Sequence, residues 1–238
     1  STLIDGQGGS NSITGPNLDS RFIVTSAAAY IEENTGAQTE TRRVQSLQNI
    51  TTLTGGSAND EFEVSQSGLI GAATYNGGTG DNQITLVSNS GSDVAWASTS
   101  AGAGTVDVNT FSGMQVLVGG DGNDSFDISH SFTDVSGNAG NDTFTVDNAN
   151  LNLAISGGAS GAAGDTLDLA YSNSATWTLN GGTDETVAAT GTITFSGIEV
   201  AHGSEGADQF NVDAASVATL YGDAGSDIFS VALNIAPA

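Results

Sequence analysis

The chain of 238 residues has no cysteine and no lysine, only three arginines (Arg21, Arg42, Arg43) and only two prolines (Pro16, Pro237). Without cysteine there is no disulfide scaffold, no thiol redox chemistry and no thiolate-held zinc. Without lysine, and with 27 acidic residues giving a net charge of −24, binding of nucleic acid or an anionic membrane through a basic surface is excluded. No apolar run approaches a membrane span, so membrane insertion is not expected. Because the prolines sit near the ends, nothing between them interrupts a backbone hydrogen-bond ladder. Aromatics make up 6% of the chain against 33 glycines, which suits a thin column of stacked side chains better than a thick globular centre. This composition fits an extracellular or cell-surface protein. The chain opens on Ser1 with no methionine and no signal-peptide pattern, so it reads as a processed or excised piece.

What is abundant is a turn. A cassette of the form Gly-Gly-x-Gly-x-Asp, followed by alternating apolar residues, recurs eight times. Its sharpest copy is Gly119-Gly120-Asp121-Gly122-Asn123-Asp124, followed by Phe126 and Ile128; the next is Gly137 to Asp142, followed by Phe144 and Val146. The sixth position falls at Asn11, Asp60, Asn82, Asp124, Asp142, Asp165, Asp208 and Asp227. Glycine allows the positive-φ backbone of a tight turn, and Asp or Asn caps local N–H groups there. The apolar pairs that follow (Phe62/Val64, Ile84/Leu86, Phe126/Ile128, Phe144/Val146, Leu167/Leu169, Phe210/Val212, Phe229/Val231) have the period of a half-buried strand.

The sixth positions are separated by 49, 22, 42, 18, 23, 43 and 19 residues. Counting each long interval as two coils gives about 22 residues per coil, the circumference of a solenoid. The expected fold is therefore all-β, a right-handed parallel β-helix of about eleven coils forming an elongated rod roughly 50 Å long. A longer period is superimposed. Phe111-Ser-Gly-Met114, Phe195-Ser-Gly-Ile198 and Leu47-Gln-Asn-Ile50 each stand eight residues before a cassette, and Trp96 and Trp177 precede two of them. One solenoid domain of three related modules follows, at about residues 1–81, 82–164 and 165–238. Residues 26 to 33 depart from the pattern: the stretch has the composition of a helical turn or two capped by Ser26, but its place inside the first long interval reads as coil structure or a small bulge from the rod.

Calcium takes six to eight oxygen ligands from carboxylates and carbonyls. Two stacked Gly-rich turns can clamp one ion, and the pairs Asp124/Asp142 and Asp208/Asp227 have spacings that stack their turns. Asp60 and Asp165 hold the same position in their own cassettes. The cassettes resemble the RTX, or haemolysin-type, calcium-binding repeats, whose nonapeptide is GGxGxDxUx with U apolar. Gly119 to Asp127 matches at every defined position, and Gly137 to Thr145 misses only the second glycine. The resemblance implies that Asp124 and Asp142 serve as calcium ligands, with carbonyls from Gly119, Gly122, Gly137 and Gly140. The chain departs from that family in having one cassette per coil, asparagine at positions 11 and 82, and an insertion in Gly157 to Gly164. In these respects it is similar to the degenerate Gly-Asn-Asp-x-Phe repeats of large secreted exoproteins and adhesins, where the Asp often serves as a turn former. The calcium reading and the purely structural reading of the Asp turns both stand at this point.

Catalysis is not expected. A lyase or epimerase acting on uronates needs cations and a base of raised pKa, and the cations here are three arginines in the first 43 residues. A hydrolase needs only paired carboxylates, such as Asp165/Asp168 or Asp121/Asp124, yet these belong to the repeating turns and strands. His130 and His202 lie in no metal motif. Trp96 and Trp177 are read as repeated packing residues rather than sugar platforms. Neither end of the repeat shows a cap, so either the chain is a segment of a longer repeat protein or copies stack end to end. The leading expectation is a non-catalytic extracellular structural element, an adhesin or exoprotein stalk or the subunit of a surface filament or matrix fibre. Its partners would be other copies or adjacent repeats, end to end, with no nucleic acid. The alternative is a calcium-dependent module binding glycans or a surface; a polysaccharide-active enzyme comes third.

Overall fold

The computed structural model describes residues 3–25, 29–33, 41–65, 73–87, 91–181, 185–214, 217 and 219–232. Every regular element among them is a β-strand. The chain divides into two compact units, Ser1–Gly122 and Asn123–Ala238.

The first unit holds two mostly parallel sheets. One contains β1 (Leu3–Asp5), β3 (Ser20–Val24), β4 (Ala29–Glu33), β5 (Thr41–Gln48), β7 (Asp60–Ser65), β9 (Gln83–Val87) and β13 (Val116–Val118), in the spatial order β1-β5-β4-β3-β7-β9-β13. The other contains β2 (Ser12–Thr14), β6 (Thr52–Thr54), β8 (Thr74–Asn76), β10 (Ala95–Ser100), β11 (Ala103–Val106) and β12 (Asn109–Ser112), in the order β2-β6-β8-β12-β11-β10. Their inner faces meet where Phe62 of β7 packs edge-on against Tyr75 of β8, with ring centroids 6.2 Å apart.

The second unit repeats the plan. Its larger sheet runs β15 (Asp134–Gly140), β17 (Leu153–Ser160), β21 (Thr192–Ser196), β20 (Glu185–Ala188), β19 (Thr176–Asn180), β23 (Gln209–Ala214), β25 (Ile228–Val231) in space. The smaller runs β14 (Ser125–Ile128), β16 (Thr143–Val146), β18 (Thr166–Leu169), β22 (Val200–His202), β24 (Thr219–Tyr221).

The apolar pairs after the cassettes form the core. Parallel register stacks like on like: Phe22, Phe62 and Ile84 in the first unit, and Phe126, Phe144, Leu167 and Ala201 in the second. Phe22 lies on Phe62 at 4.5 Å and Phe126 on Phe144 at 5.0 Å, the ring planes nearly parallel in both. All seven of these residues are buried. Each aromatic pair adds about 0.5–1.5 kcal/mol beyond the area it buries. Phe229 and Val231 break the rule, at 47% and 60% exposed.

The long intervals differ from expectation. They are not pairs of parallel coils. Each folds as a three-stranded antiparallel meander: β3-β4-β5, β10-β11-β12 and β19-β20-β21. The reason is local. Each long interval crosses between the sheets near its start and again near its end without a glycine cassette, and between the two crossings tight turns send the chain back along its own neighbour. Gly102 and Asp107, at φ 67° and 49°, make those turns in the second meander. The segment read as coil structure or a small bulge belongs to this pattern. Residues 29–33 are β4, paired along their whole length with β3, and residues 26–28 lie outside the described residues.

Trp96 and Trp177 open two of the meanders and are 2% and 0% exposed. Each indole packs edge-on against the phenylalanine of the Phe-Ser-Gly marker, Phe111 at 5.9 Å and Phe195 at 5.7 Å. They are core residues, not surface platforms.

The cassettes change sides. In the first unit Gly6–Asn11 carries the chain from the larger sheet to the smaller, whereas Gly55–Asp60 and Gly77–Asn82 carry it back. In the second unit Gly137–Asp142 and Gly157–Asp165 run from larger to smaller, and Gly203–Asp208 and Gly222–Asp227 from smaller to larger. Glycine corners therefore stack in short runs, each ended by a meander, rather than in one continuous column.

Candidate functional site: the glycine corners

Six of the eight sixth-position side chains are buried, Asp60 at 2% exposed, Asn82 and Asp165 at 0%, Asp124, Asp142 and Asp208 at 1%, while Asn11 and Asp227 are half-buried. A buried carboxylate needs hydrogen-bond donors. Here the donors are backbone amides of the adjacent coil. The N–H of Ser20 donates to Asp60 Oδ1 (3.0 Å), that of Asp60 to Asn82 Oδ1 (2.8 Å), that of Asp124 to Asp142 Oδ1 (2.7 Å) and that of Asp142 to Asp165 Oδ1 (2.7 Å). On the other run, the N–H of Ala175 donates to Asp208 Oδ1 (2.6 Å) and that of Asp208 to Asp227 Oδ1 (2.9 Å). The second oxygen of Asp60 takes the N–H of Gly56 at 2.7 Å, and that of Asp208 takes the N–H of Ser204 at 2.5 Å. Each of these two carboxylates thus ties its own turn and its neighbour together.

The fifth position makes a second ladder running the opposite way. Asn59 N–H donates to Asp19 Oδ1 (3.2 Å), Asp81 N–H to Asn59 Oδ1 (2.9 Å), Asn141 N–H to Asn123 Oδ1 (2.8 Å) and Gly164 N–H to Asn141 Oδ1 (3.0 Å). Neighbouring turns are therefore clamped reciprocally. Position five of one coil accepts from the next, and position six of the next accepts from the one before. This ladder went unread in the sequence, although its signal, the repeated Asn-Asp dipeptide, was there.

Where no cassette follows, a longer side chain reaches the same amide. Gln115 Oε1 accepts the N–H of Asn82 (2.7 Å) and Glu199 Oε2 that of Asp165 (2.8 Å). Both residues stand directly after the Phe-Ser-Gly markers' fourth residue, Met114 and Ile198. Packing at these corners requires the first glycine. A Cβ on Gly55 would run into Asp60 Oδ2 and the Gly77 carbonyl, and one on Gly137 into Asp142 Oδ2.

Asn and Asp are not interchangeable at position six. Asn82 Nδ2 donates to the carbonyl of Gly113 at 2.9 Å, and Asn11 Nδ2 to that of Asn49 at 3.0 Å. Gly113 and Asn49 are the third residues of their markers, and Gly197 is the third residue of the remaining one. Its corner carries Asp165: a Cβ added to Gly157 would meet both Asp165 Oδ2 and the Gly197 carbonyl, as one added to Gly77 would meet Asn82 Nδ2 and the Gly113 carbonyl. Two acceptors thus sit where the other modules pair a donor with an acceptor. Asp165 Oδ2 is buried without a hydrogen-bond partner. Burial, reinforced by Glu199, pushes the Asp165 carboxyl above its ordinary range against the opposing effect of the Asp142 N–H. Burial also raises Asp60, with its hydrogen bonds to Gly56 and Ser20 acting the other way.

The structure brings Asp124 and Asp142 together, and likewise Asp208 and Asp227, as their spacings imply. Of the glycines, Gly122 packs against Ser92 and Asp93, Gly137 against Asp142 and the Gly157 carbonyl, and Gly140 takes φ 138°; Gly119 is buried. Among the described residues no three His, Cys, Asp or Glu side chains gather as a metal-binding group. Both oxygens of Asp60 and of Asp208 accept N–H groups, whereas Asp165 has one oxygen open. Of the histidines, His130 Nδ1 lies 2.8 Å from Ser129 Oγ. His202 stacks on Tyr221 at 4.4 Å, its Nδ1 3.0 Å from Asp223 Oδ2.

No protein-family model matches the chain, and no curated protein matches it in sequence.

Proposed function

We propose that this chain is a non-catalytic, extracellular structural repeat protein, a stalk segment or the subunit of a surface filament or matrix, whose short intervals wind as right-handed parallel coils. One observation carries the reading: the buried cassette carboxylates serve as backbone acceptors between coils. Side chains committed in that way hold a scaffold together and are not free to act as acids, bases or nucleophiles. The lack of cysteine and lysine, the acidic surface and the resemblance to secreted Gly-Asp repeats support an extracellular setting.

The reading is tested by incubating the purified chain with neutral and acidic polysaccharides. No new reducing ends or unsaturated products are expected; turnover would replace it with the enzymatic one.

Calcium at the turns is a second reading, favoured by the open oxygen of Asp165 and the net charge of −24. Its test is the melting temperature with calcium and with chelator. A large rise with calcium supports it, and identical melting in both removes it.

A further inference from the structure

We propose that the outer face of the smaller sheet in the first unit binds the surface of ice. The inference goes beyond the structural reading above and does not depend on it.

Parallel register lines up side chains that the sequence sets at unequal intervals. On β2, β6, β8 and β12 one apolar residue faces inward between two polar ones. Of these, Ile13 is half-buried, and Leu53, Tyr75 and Phe111 are buried. The flanking residues face out and pair from strand to strand. Ser12, Thr52, Thr74 and Thr110 make one file, and Thr14, Thr54, Asn76 and Ser112 make the other. Thr105 of β11 extends the first file beyond Thr110, and Ala97 of β10 ends it. Ser12, Thr14 and Thr110 are exposed and the other members half-buried. The Thr74 and Thr110 hydroxyls meet at 3.0 Å; one staggered step about χ1 turns either of them outward.

Three properties of this face select its ligand. Neither file holds a charged residue, although the chain carries 27 acidic ones. The face therefore has nothing to grip a metal ion, an ionic mineral or a charged polymer. Neither file holds an aromatic residue, the platform on which a sugar ring would stack. The third property is a repeat in two directions. Neighbouring strands set a step of about 4.8 Å across the sheet, and alternate residues a step of about 6.6 Å along each strand. Both steps lie close to oxygen repeats in hexagonal ice. Hydroxyls on such a grid, with water held between threonine methyls, fall into step with the lattice over several coils at once. A small molecule or a peptide has no matching repeat, whereas a crystal surface does. The grid is also preset. The packed inner residues hold the strands, and threonine, branched at Cβ, has little rotamer freedom to lose on contact.

The test uses the full chain in a nanolitre osmometer and in slow growth of ice from its solution. A gap between the melting and freezing points of a seed crystal is expected, with facetted growth and enrichment of the chain in the ice over serum albumin. The double variant Thr52→Tyr, Thr74→Tyr changes only outward positions. It is expected to lose both the gap and the enrichment at an unchanged melting temperature of the protein. Thr85→Tyr, on the outer face of β9 in the larger sheet, is expected to keep both. A chain left in the liquid as completely as albumin overturns the proposal, as does retention on crystalline cellulose or chitin without retention in ice. Ice activity that survives the double substitution refutes the assigned face.

Discussion

The amide of Asp124 points at the carboxylate of Asp142, 2.7 Å away, while one residue earlier the amide of Asn141 points back at the side-chain carbonyl of Asn123, 2.8 Å away. Two coils are thus fastened by bonds running in opposite senses at adjacent positions. Shear along the strands that lengthens one bond compresses the other, so the pair fixes register as well as spacing. The same reciprocal arrangement joins the Asn59-Asp60 corner to Asp81-Asn82.

Replacing Asp142 by Ala leaves the buried Asp124 N–H without its acceptor, at a cost of about 1–3 kcal/mol. Asp142→Asn keeps that acceptor and is expected to cost less. Asn123→Ala removes a bond at an exposed position and is expected to cost about 0.5–1.5 kcal/mol. Urea unfolding of the three variants gives the order.

Asp165→Asn is expected to stabilise the protein at neutral pH. The new Nδ2 would donate to the Gly197 carbonyl, as Asn82 donates to Gly113, while Oδ1 goes on accepting the Asp142 N–H. Removing a buried acceptor clash of this type is worth about 1–3 kcal/mol. Denaturant midpoints of the two proteins at pH 7 check it; a lower midpoint for the variant contradicts it.

The same carboxyl gives a pH dependence. Burial raises Asp165, and it is also the largest cause of the raised values of Asp60, Asp134, Asp147 and Asp168. A carboxyl raised on folding contributes stability that is fully present below its unfolded value of about 3.9 and is lost as pH rises through the folded one. Asp5, lowered chiefly by its bond from Asn49, works the other way. The melting temperature is therefore expected to be higher at mildly acidic pH than at neutral pH, and the slope is expected to be shallower in Asp165→Asn. Calorimetry across that window measures both.

Trp177→Ala is expected to cost about 3–5 kcal/mol, because the indole is fully buried between Phe195 and Phe210. Trp177→Phe is expected to cost less. If Trp177 were instead a sugar platform, the loss would appear in glycan binding and not in chemical denaturation.

Much of the fold can be read from the residues. The apolar pairs Phe62/Val64 and Phe126/Ile128 mark strands and their inward faces, and the 18-residue step from Asp124 to Asp142 marks stacked turns. The meanders were not legible by the same means. A strand alternates in the same way whether it runs parallel or antiparallel to its neighbour, so an interval of twice the coil length passes for two coils. The contrary signal was slight, a Gly102 and an Asp107 at positive φ. Nor did the sequence disclose that the corners change sides after each meander, since the cassette reads the same in either direction of crossing. At the corners, position six was recognised but its acceptor role was open between an ion and an amide. The stand-ins Gln115 and Glu199 lie outside the glycine cassettes, after the Phe-Ser-Gly markers, and only the backbone path shows what they reach.

The central claim is that the corner carboxylates hold backbone amides. Amide hydrogen exchange on the full chain, in buffer containing chelator, addresses it residue by residue. The N–H groups of Asp60, Asp124, Asp142 and Asp208 are expected to exchange as slowly as those inside β7 and β16. Rapid exchange at these four, slowed only when calcium is supplied, would contradict it.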